Sequence, residues 1–225
     1  MIKGKKYLKK QAVASVLALS MAAASLTGCS NGLSSSKKES SNVGTMTQGE
    51  ASTTKVAEHV WVHKTAKVFA SAYLAGPAII GAETEVRQCA FVRGNALVGK
   101  GCVIGNSTEL KNVIIFDNVQ VPHYNYVGDS ILGFKSHMGA GSITSNVKSD
   151  KTLVHVKGID PETNEKFDLE TGLKKFGAML GNHVEVGCNS VLNPGTVIGS
   201  NSNVYPLSPV RGFVPAESIT WVCCQ

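Results

Sequence analysis

The chain has 225 residues, enough for one domain with extensions, and it is 43% hydrophobic but only 6% aromatic. Its formal charge is +6, yet Lys3, Lys5, Lys6, Lys9 and Lys10 supply five of those charges; without residues 1–28 there remain 17 basic residues against 16 acidic ones. A folded part so near neutrality excludes an extended basic surface and, with it, a nucleic-acid partner.

The first residues read as an export signal. The lysine-rich start leads into an apolar run from Ala12 to Leu26, too short and too rich in small residues to span a bilayer. The run ends in Leu26-Thr27-Gly28-Cys29, which resembles the lipobox of bacterial lipoproteins. Residues 1–28 are therefore expected to be a signal peptide, with Cys29 lipidated and the protein exported and anchored to a membrane. Residues 29–57 are Ser-, Thr- and Lys-rich with almost no large apolar side chain. Such a segment buries too little surface to offset its ordering entropy, so it is expected to be a disordered tether. Beyond Cys29 there are five cysteines, Cys89, Cys102, Cys188, Cys223 and Cys224, an odd number without metal-ligand spacing.

From Val62 an aliphatic residue recurs every six positions, at Val62, Val68, Leu74, Ile80, Val86, Val92, Val98, Ile104 and Leu110. A small residue follows four positions after each of the first eight, at Ala66, Ala72, Ala78, Thr84, Ala90, Ala96, Cys102 and Thr108. A helix needs spacings of three and four, and a half-buried strand needs alternation. A period of six instead predicts an all-β, single-stranded parallel β-helix over 58–225, in which three six-residue sides close one coil and stacked coils bury a continuous aliphatic column. The register steps by five to Ile115 and again to Leu132, and resumes as Leu180, Val186, Leu192, Ile198 and Val204. The interruption, about 147–176, is expected to be a β-hairpin with strands Thr152–Val156 and Glu165–Leu169 around the turn-like Asp160–Asn164, an excursion of the kind that covers a site or a neighbour. The segment Val210–Ile219 is expected to cap the column.

Two stretches interrupt the scaffold with chemistry: Val121-Pro-His-Tyr-Asn-Tyr-Val-Gly-Asp129 and Met138-Gly-Ala-Gly-Ser-Ile-Thr-Ser-Asn146. They supply an imidazole and a glycine-flanked turn able to present backbone N–H groups, a base and an oxyanion donor for acyl transfer. With Thr171–Ala178, these stretches make residues 58–222 similar to the acetyltransferase domain of the bifunctional N-acetylglucosamine-1-phosphate uridyltransferases and their archaeal sugar-1-phosphate nucleotidyltransferase relatives. No stretch reads as the uridyltransferase half. The resemblance implies a left-handed β-helix that forms homotrimers, uses acetyl-CoA and requires no metal. It implies His123 as general base, the Ala140 amide as oxyanion donor, and Arg93, Lys111, Tyr126 and Asn146 as ligands of an amino-sugar 1-phosphate. Glu109 keeps its spacing to Arg93 and Lys111. Lys151 falls one residue from a family lysine, and Cys188 takes a coenzyme-side position that is a serine in the bacterial enzymes. His137 stands where the bacterial family has asparagine, and Val147 also departs from the family pattern near the acceptor. His59, His63, His155 and His183 read as surface or strand residues.

The export signal conflicts with a cytoplasmic donor. The sequence therefore supports an alternative, a lipid-anchored, non-catalytic trimeric solenoid that binds a glycan or cell-wall fragment. A zinc site of the γ-class carbonic anhydrase kind is disfavoured, because His123 and His137 lack that family's close histidine pair.

Overall fold

The computed structural model describes residues 53–220, whose regular elements are all β-strands. The expected signal peptide, the lipidated Cys29 and the pair Cys223–Cys224 lie outside the described residues.

The six-residue period folds as a left-handed parallel β-helix with three faces. Face one stacks Val60–His63, Ala78–Ile80, Ala96–Val98, the second halves of Glu109–Ile115 and Tyr126–Leu132, then Ala178–Leu180, Thr196–Ile198 and Phe213–Val214. Face two runs from Lys67–Val68 through Gln120–His123 and His137–Met138 to Ile219–Thr220. Face three holds Tyr73–Leu74, Phe91–Val92, the first halves of the same two long strands, Ile143–Thr144, Val191–Leu192 and Pro209–Val210.

The aliphatic register points inward as expected. Ile80, Val86, Val92, Ile104, Leu110, Val121, Val127, Leu132, Met138, Leu192 and Ile198 are all buried, with Ala78, Thr84, Ala90, Ala96, Cys102 and Thr108 buried beside them. Each large aliphatic side chain so buried contributes roughly 1.5–3 kcal/mol. Val68 is exposed because it lies in the first coil and pairs on one side only.

The steps of five mark a change in coil length. Val60 lies beside Ala78 and Ala78 beside Ala96, an 18-residue coil; Ala96 lies beside Val113 and Val113 beside Ser130, a 17-residue coil. The lost residue comes from the corner between faces three and one. Gly94 and Asn95 turn that corner in one coil, whereas Asn112 alone and Asp129 alone turn it in the next two. Both adopt the left-handed conformation, with φ of 51° and 49°, which Asn and Asp tolerate better than other side chains. Leu110, Ile115, Val127 and Leu132 consequently all stay inside.

Three expectations are corrected. Thr53–Ala57, placed in the tether, is a strand antiparallel to Val60–His63 that covers the first edge of face one. Val210–Ile219, expected to cap the column, continues it: Val210 and Val214 are buried, and Phe213–Val214 and Ile219–Thr220 pair in parallel with the coil before. The hairpin exists, as His155–Ile159 and Lys166–Glu170, but starts three residues late because the Asp150 carboxylate accepts from the Thr152 amide and hydroxyl at 3.0 and 2.9 Å and holds a turn there. Nor does it stand over the His123 stretch. It folds back on the outside of face one, where Val154, Val156, Phe167 and Leu169 pack on Ile131, Met179 and Val197, and Phe167 meets Phe213 edge-on at 5.7 Å.

Burial pushes the Cys102 thiol up to about 11, and its sulfur donates to the Phe116 carbonyl at 3.0 Å. Cys89 and Cys188 are exposed. Alkylation of the native protein near pH 8, mapped by peptide mass spectrometry, is expected to modify Cys89 and Cys188 and spare Cys102 until denaturant is added. Labelling of Cys102 at the same rate would contradict the packing described.

Candidate active site

The corner between faces two and three carries the first group. His123 lies beside Asn106. The pairings Gln120–His137 and Met138–Val186 put Ala140 and then Cys188 at the same position in the next two coils. The column is stitched by its backbone: Gly141 N donates to His123 O at 3.0 Å, and Asn189 N to Ala140 O at 2.9 Å. Neighbouring coils are about 4.8 Å apart, so the three residues expected to serve as base, oxyanion donor and coenzyme contact are stacked within about 10 Å. The His123 side chain is exposed, and its ring has no hydrogen-bond partner among the described residues. The Ala140 N–H, half-exposed at its turn, likewise has none.

Face three and its far corner carry the second group. Glu109 lies beside Tyr126, and Lys111 beside Gly128. Arg93 Nη1 donates to Glu109 Oε1 at 2.8 Å, and its guanidinium sits 5.9 Å from the centre of the Phe91 ring. The Glu109 contact raises the Arg93 pKa. Asn146 Nδ2 donates to Tyr126 Oη at 3.1 Å and to Asp129 Oδ2. Asn112 Nδ2 donates to Asp129 Oδ1 at 2.8 Å, and Asn95 Nδ2 to Asn112 Oδ1 at 2.7 Å. An ionised carboxylate only accepts, so this ladder fixes the Asn146 amide with its nitrogen toward Asp129 and its oxygen turned away. Asn146 then offers an acceptor, Tyr126 a hydroxyl donor, and Arg93 and Lys111 two cations. Such a set suits a polyhydroxylated ligand carrying an anion. Gly128 is required beneath it, because a Cβ there would collide with the Tyr126 hydroxyl.

Burial, then the nearby Asp129 carboxylate, raise the Tyr126 phenol above its ordinary value. The phenol therefore stays a proton donor throughout the neutral range.

The two groups lie on either side of one corner. His123 ends one strand and Tyr126 begins the next, with Tyr124 turning the corner between them at a φ of 53°, and the Tyr126 hydroxyl leans toward Asn146. Lys151 joins neither. It is exposed in the loop before the hairpin, with its amide on Lys148 O at 3.0 Å. The lysine at the edge of the second group is Lys175, which lines a cleft of about 220 Å³ with Asn112, Asp129, Leu173 and Phe176. Its backbone bridges to Val147, and its place in the Thr171–Ala178 stretch was the available signal. His137 lies on face two, its Nδ1 2.8 Å from Glu185 Oε2, outside the His123 column. Cys188 remains exposed in that column. His155 pairs with Asp168 on the hairpin, and His183 packs edge-on against Phe134. Among the described residues no group of three His, Cys, Asp or Glu side chains is placed to hold a metal ion.

A family model described as the GMPPB C-terminal domain matches residues 74–197. The bifunctional protein GlmU of Methanococcus maripaludis is 33% identical over 134 residues, covering 59% of this chain and 30% of that protein. A bifunctional sugar-1-phosphate nucleotidylyltransferase/acetyltransferase of Sulfurisphaera tokodaii is 35% identical over 105 residues, 46% of this chain and 24% of that protein. The chain thus spans between about a quarter and a third of the length of these relatives. Among solved structures, a hexapeptide transferase family protein from Anaplasma phagocytophilum is similar with a TM-score of 0.46 and 18% identity, over 63% of this chain and 70% of that one.

The Tyr126 environment gives a testable titration. Because its folded pKa lies above the unfolded value, the stability that depends on its neutral form is present below about pH 10 and is lost as the pH rises through the folded value. Subtracting the ultraviolet titration of Tyr126→Phe from that of the wild type is expected to leave a transition above pH 10. A transition at or below the ordinary phenol value would contradict the burial.

Proposed function

The chain belongs to the GMPPB C-terminal domain family, and on that premise we propose that it is an N-acetyltransferase moving an acetyl group from acetyl-CoA to the amine of an amino-sugar 1-phosphate. The observation that carries this reading is the stacking of His123 and the free Ala140 N–H in adjacent coils, at the corner next to the face that gathers Arg93, Lys111, Tyr126 and Asn146. The acetyltransferase named in the Sulfurisphaera relative supports the reaction class. No metal enters the proposal.

In the proposed reaction the sugar amine attacks the thioester carbonyl while His123 takes the amine proton, a task suited to an imidazole near neutrality. Charge grows on the carbonyl oxygen, where the Ala140 N–H stabilises it. The C–S bond then breaks, the acetyl group stays on nitrogen, and His123 returns its proton to the departing thiolate. Arg93 and Lys111 take the phosphate, and Cys188 lies on the coenzyme side of the column. The Arg93 guanidinium is already oriented by Glu109.

One further feature supports a homotrimer. Trp61, Ile79 and Leu97 form an exposed apolar row on face one that no described residue covers, 43%, 46% and 49% accessible, while the hairpin covers the continuation of the same face.

The sequence ending at Cys29 favours a second reading, in which the protein is exported and lipid-anchored, apart from cytoplasmic acetyl-CoA, and binds a glycan in the same face without turnover. Saturable binding of a wall-derived glycan by protein that releases no thiol would support it.

Two outcomes follow for the first reading. Protein mixed with acetyl-CoA and glucosamine 1-phosphate is expected to release free thiol, with kcat lowered by roughly 10²–10⁴ in His123→Ala, the usual scale of general-base catalysis; no release, or release unaffected by the substitution, would contradict it. Leu97→Glu is expected to convert a trimer to monomers in light scattering, and an unchanged mass would remove face one from the interface.

A further inference from the structure

Asn125 lies between the two halves of the His123 column, at a position that elsewhere takes only small residues. The pairings that align Phe91, Glu109, Tyr126, Ile143, Val191 and Pro209 put the residue before each into one buried corner row: Ala90, Thr108, Asn125, Ser142, Ser190 and Ser208. The hydroxyls of Thr108 and Ser190 each donate to one carbonyl of the next coil, Val121 O at 2.9 Å and Tyr205 O at 3.0 Å. Asn125, 2% accessible, does more. Its Nδ2 donates to Gly139 O at 2.8 Å and to Ser142 O at 3.0 Å, and its Oδ1 accepts from the His123 amide at 3.1 Å.

These three bonds have a consequence fixed by covalent geometry. Gly139 C=O and Ala140 N–H belong to one peptide unit, planar and trans, so the carbonyl and the N–H point in opposite directions. Asn125, with the Ser142 hydroxyl at 2.7 Å and the Ser142 amide at 3.1 Å, holds that carbonyl toward the interior and thereby turns the Ala140 N–H outward. Three donors on the carbonyl also polarise the peptide, which strengthens its N–H as a donor. The same side chain anchors the backbone of His123 through its oxygen. The hydroxyls of this row also donate and accept, as Ser190 does to Tyr205 O and from Ser208 N, but Asn125 alone in it has two N–H donors beside an acceptor oxygen and so holds two carbonyls and an amide at once.

We propose that Asn125 is a positioning residue that sets the Ala140 N–H and the His123 backbone in one frame, so that oxyanion donor and base keep their spacing. The role rests on the acetyltransferase reading above. Asn125 touches neither substrate nor coenzyme; it acts through the Gly139–Ala140 peptide and the amide of His123.

The test compares Asn125→Asp, equal in shape but without the Nδ2 donor, and Asn125→Ser, which fits the corner row, with wild type and with Thr84→Ala. Thr84 donates to Gly99 O at 2.8 Å from a different corner, so its loss reports generic coil damage. Steady-state rates are measured against both acetyl-CoA and glucosamine 1-phosphate, across pH, on protein whose melting curve shows it folded. Both Asn125 variants are expected to lose roughly 10–100-fold in kcat, somewhat below the loss of an oxyanion donor itself. Their KM values stay within about twofold of wild type, and the His123-dependent acid limb of the pH profile keeps its midpoint. Thr84→Ala is expected to melt lower with kcat unchanged. Folded Asn125→Ser or Asn125→Asp with wild-type kcat would overturn the inference alone, as would a loss confined to KM. If Asn125→Asp does not fold, Asn125→Ser decides. Wild-type protein that transfers no acetyl group would overturn the reading beneath it, and the inference with it.

Discussion

The structure depends on one constraint: each coil must place an aliphatic side chain over the one before, with no wider core to absorb an error. Val86, Ile104 and Val121 stack in that way, as do Val92, Leu110 and Val127. A coil of the wrong length would turn the next column outward and leave the narrow core unfilled. Coil length is therefore held at 16 to 18 residues outside the excursion, and every outward position becomes part of a fixed column as well. Residues far apart in sequence, such as Ala140 and Cys188, are brought to one height step and one azimuth by nothing more than the packing behind them. A parallel β-helix thus supplies catalytic spacing as a by-product of filling its own interior.

The corners translate that spacing into chemistry. At the edge between faces three and one, dropping a residue per coil leaves Asn112 and Asp129 as single left-handed turn residues. Their side chains lock into a ladder with Asn95 and Asn146. The ladder joins half-buried side chains and, at its end, fixes which atom of Asn146 faces outward. At the edge between faces two and three, Asn125 does the corresponding work for His123 and Ala140. In both places a side chain that stabilises a turn also sets the direction of a group at the candidate site, so scaffold and site cannot be altered independently.

Much of this was legible in the sequence because the inward column is periodic. The steps of five at Ile115 and Leu132 even mark the shortened corner, although their meaning depends on which residue is lost. His123, Ala140, Arg93, Lys111, Tyr126 and Asn146 are expected from the resemblance, and the structure puts the first two at the corner between faces two and three and the others along face three. What escaped is what periodicity does not encode. The landing of the hairpin follows from outward-facing Ile131, Met179 and Val197, whose apolar character is invisible beside an equally apolar inward register. Asn125 lies past the run of small residues that ends at Thr108, although it is the one long side chain in its buried row. Lys175 was missed for Lys151 because a bridge between Val147 and Lys175 closes the excursion at its base and brings the later lysine back to the coil. Thr53–Ala57 reads as tether by composition and becomes a strand because the edge of face one offers it unpaired backbone groups.

The proposed function puts a thioester at the His123–Ala140–Cys188 corner and a phosphorylated amino sugar at the neighbouring Arg93–Tyr126–Asn146 cluster. The most direct measurement is a crystal structure of the protein with coenzyme A and glucosamine 1-phosphate bound together. The account predicts the coenzyme sulfur beside the Ala140 N–H, the sugar amine within hydrogen-bond reach of the His123 ring, and the phosphate on Arg93 and Lys111. A coenzyme bound elsewhere, or a sugar whose amine points away from His123, would contradict it.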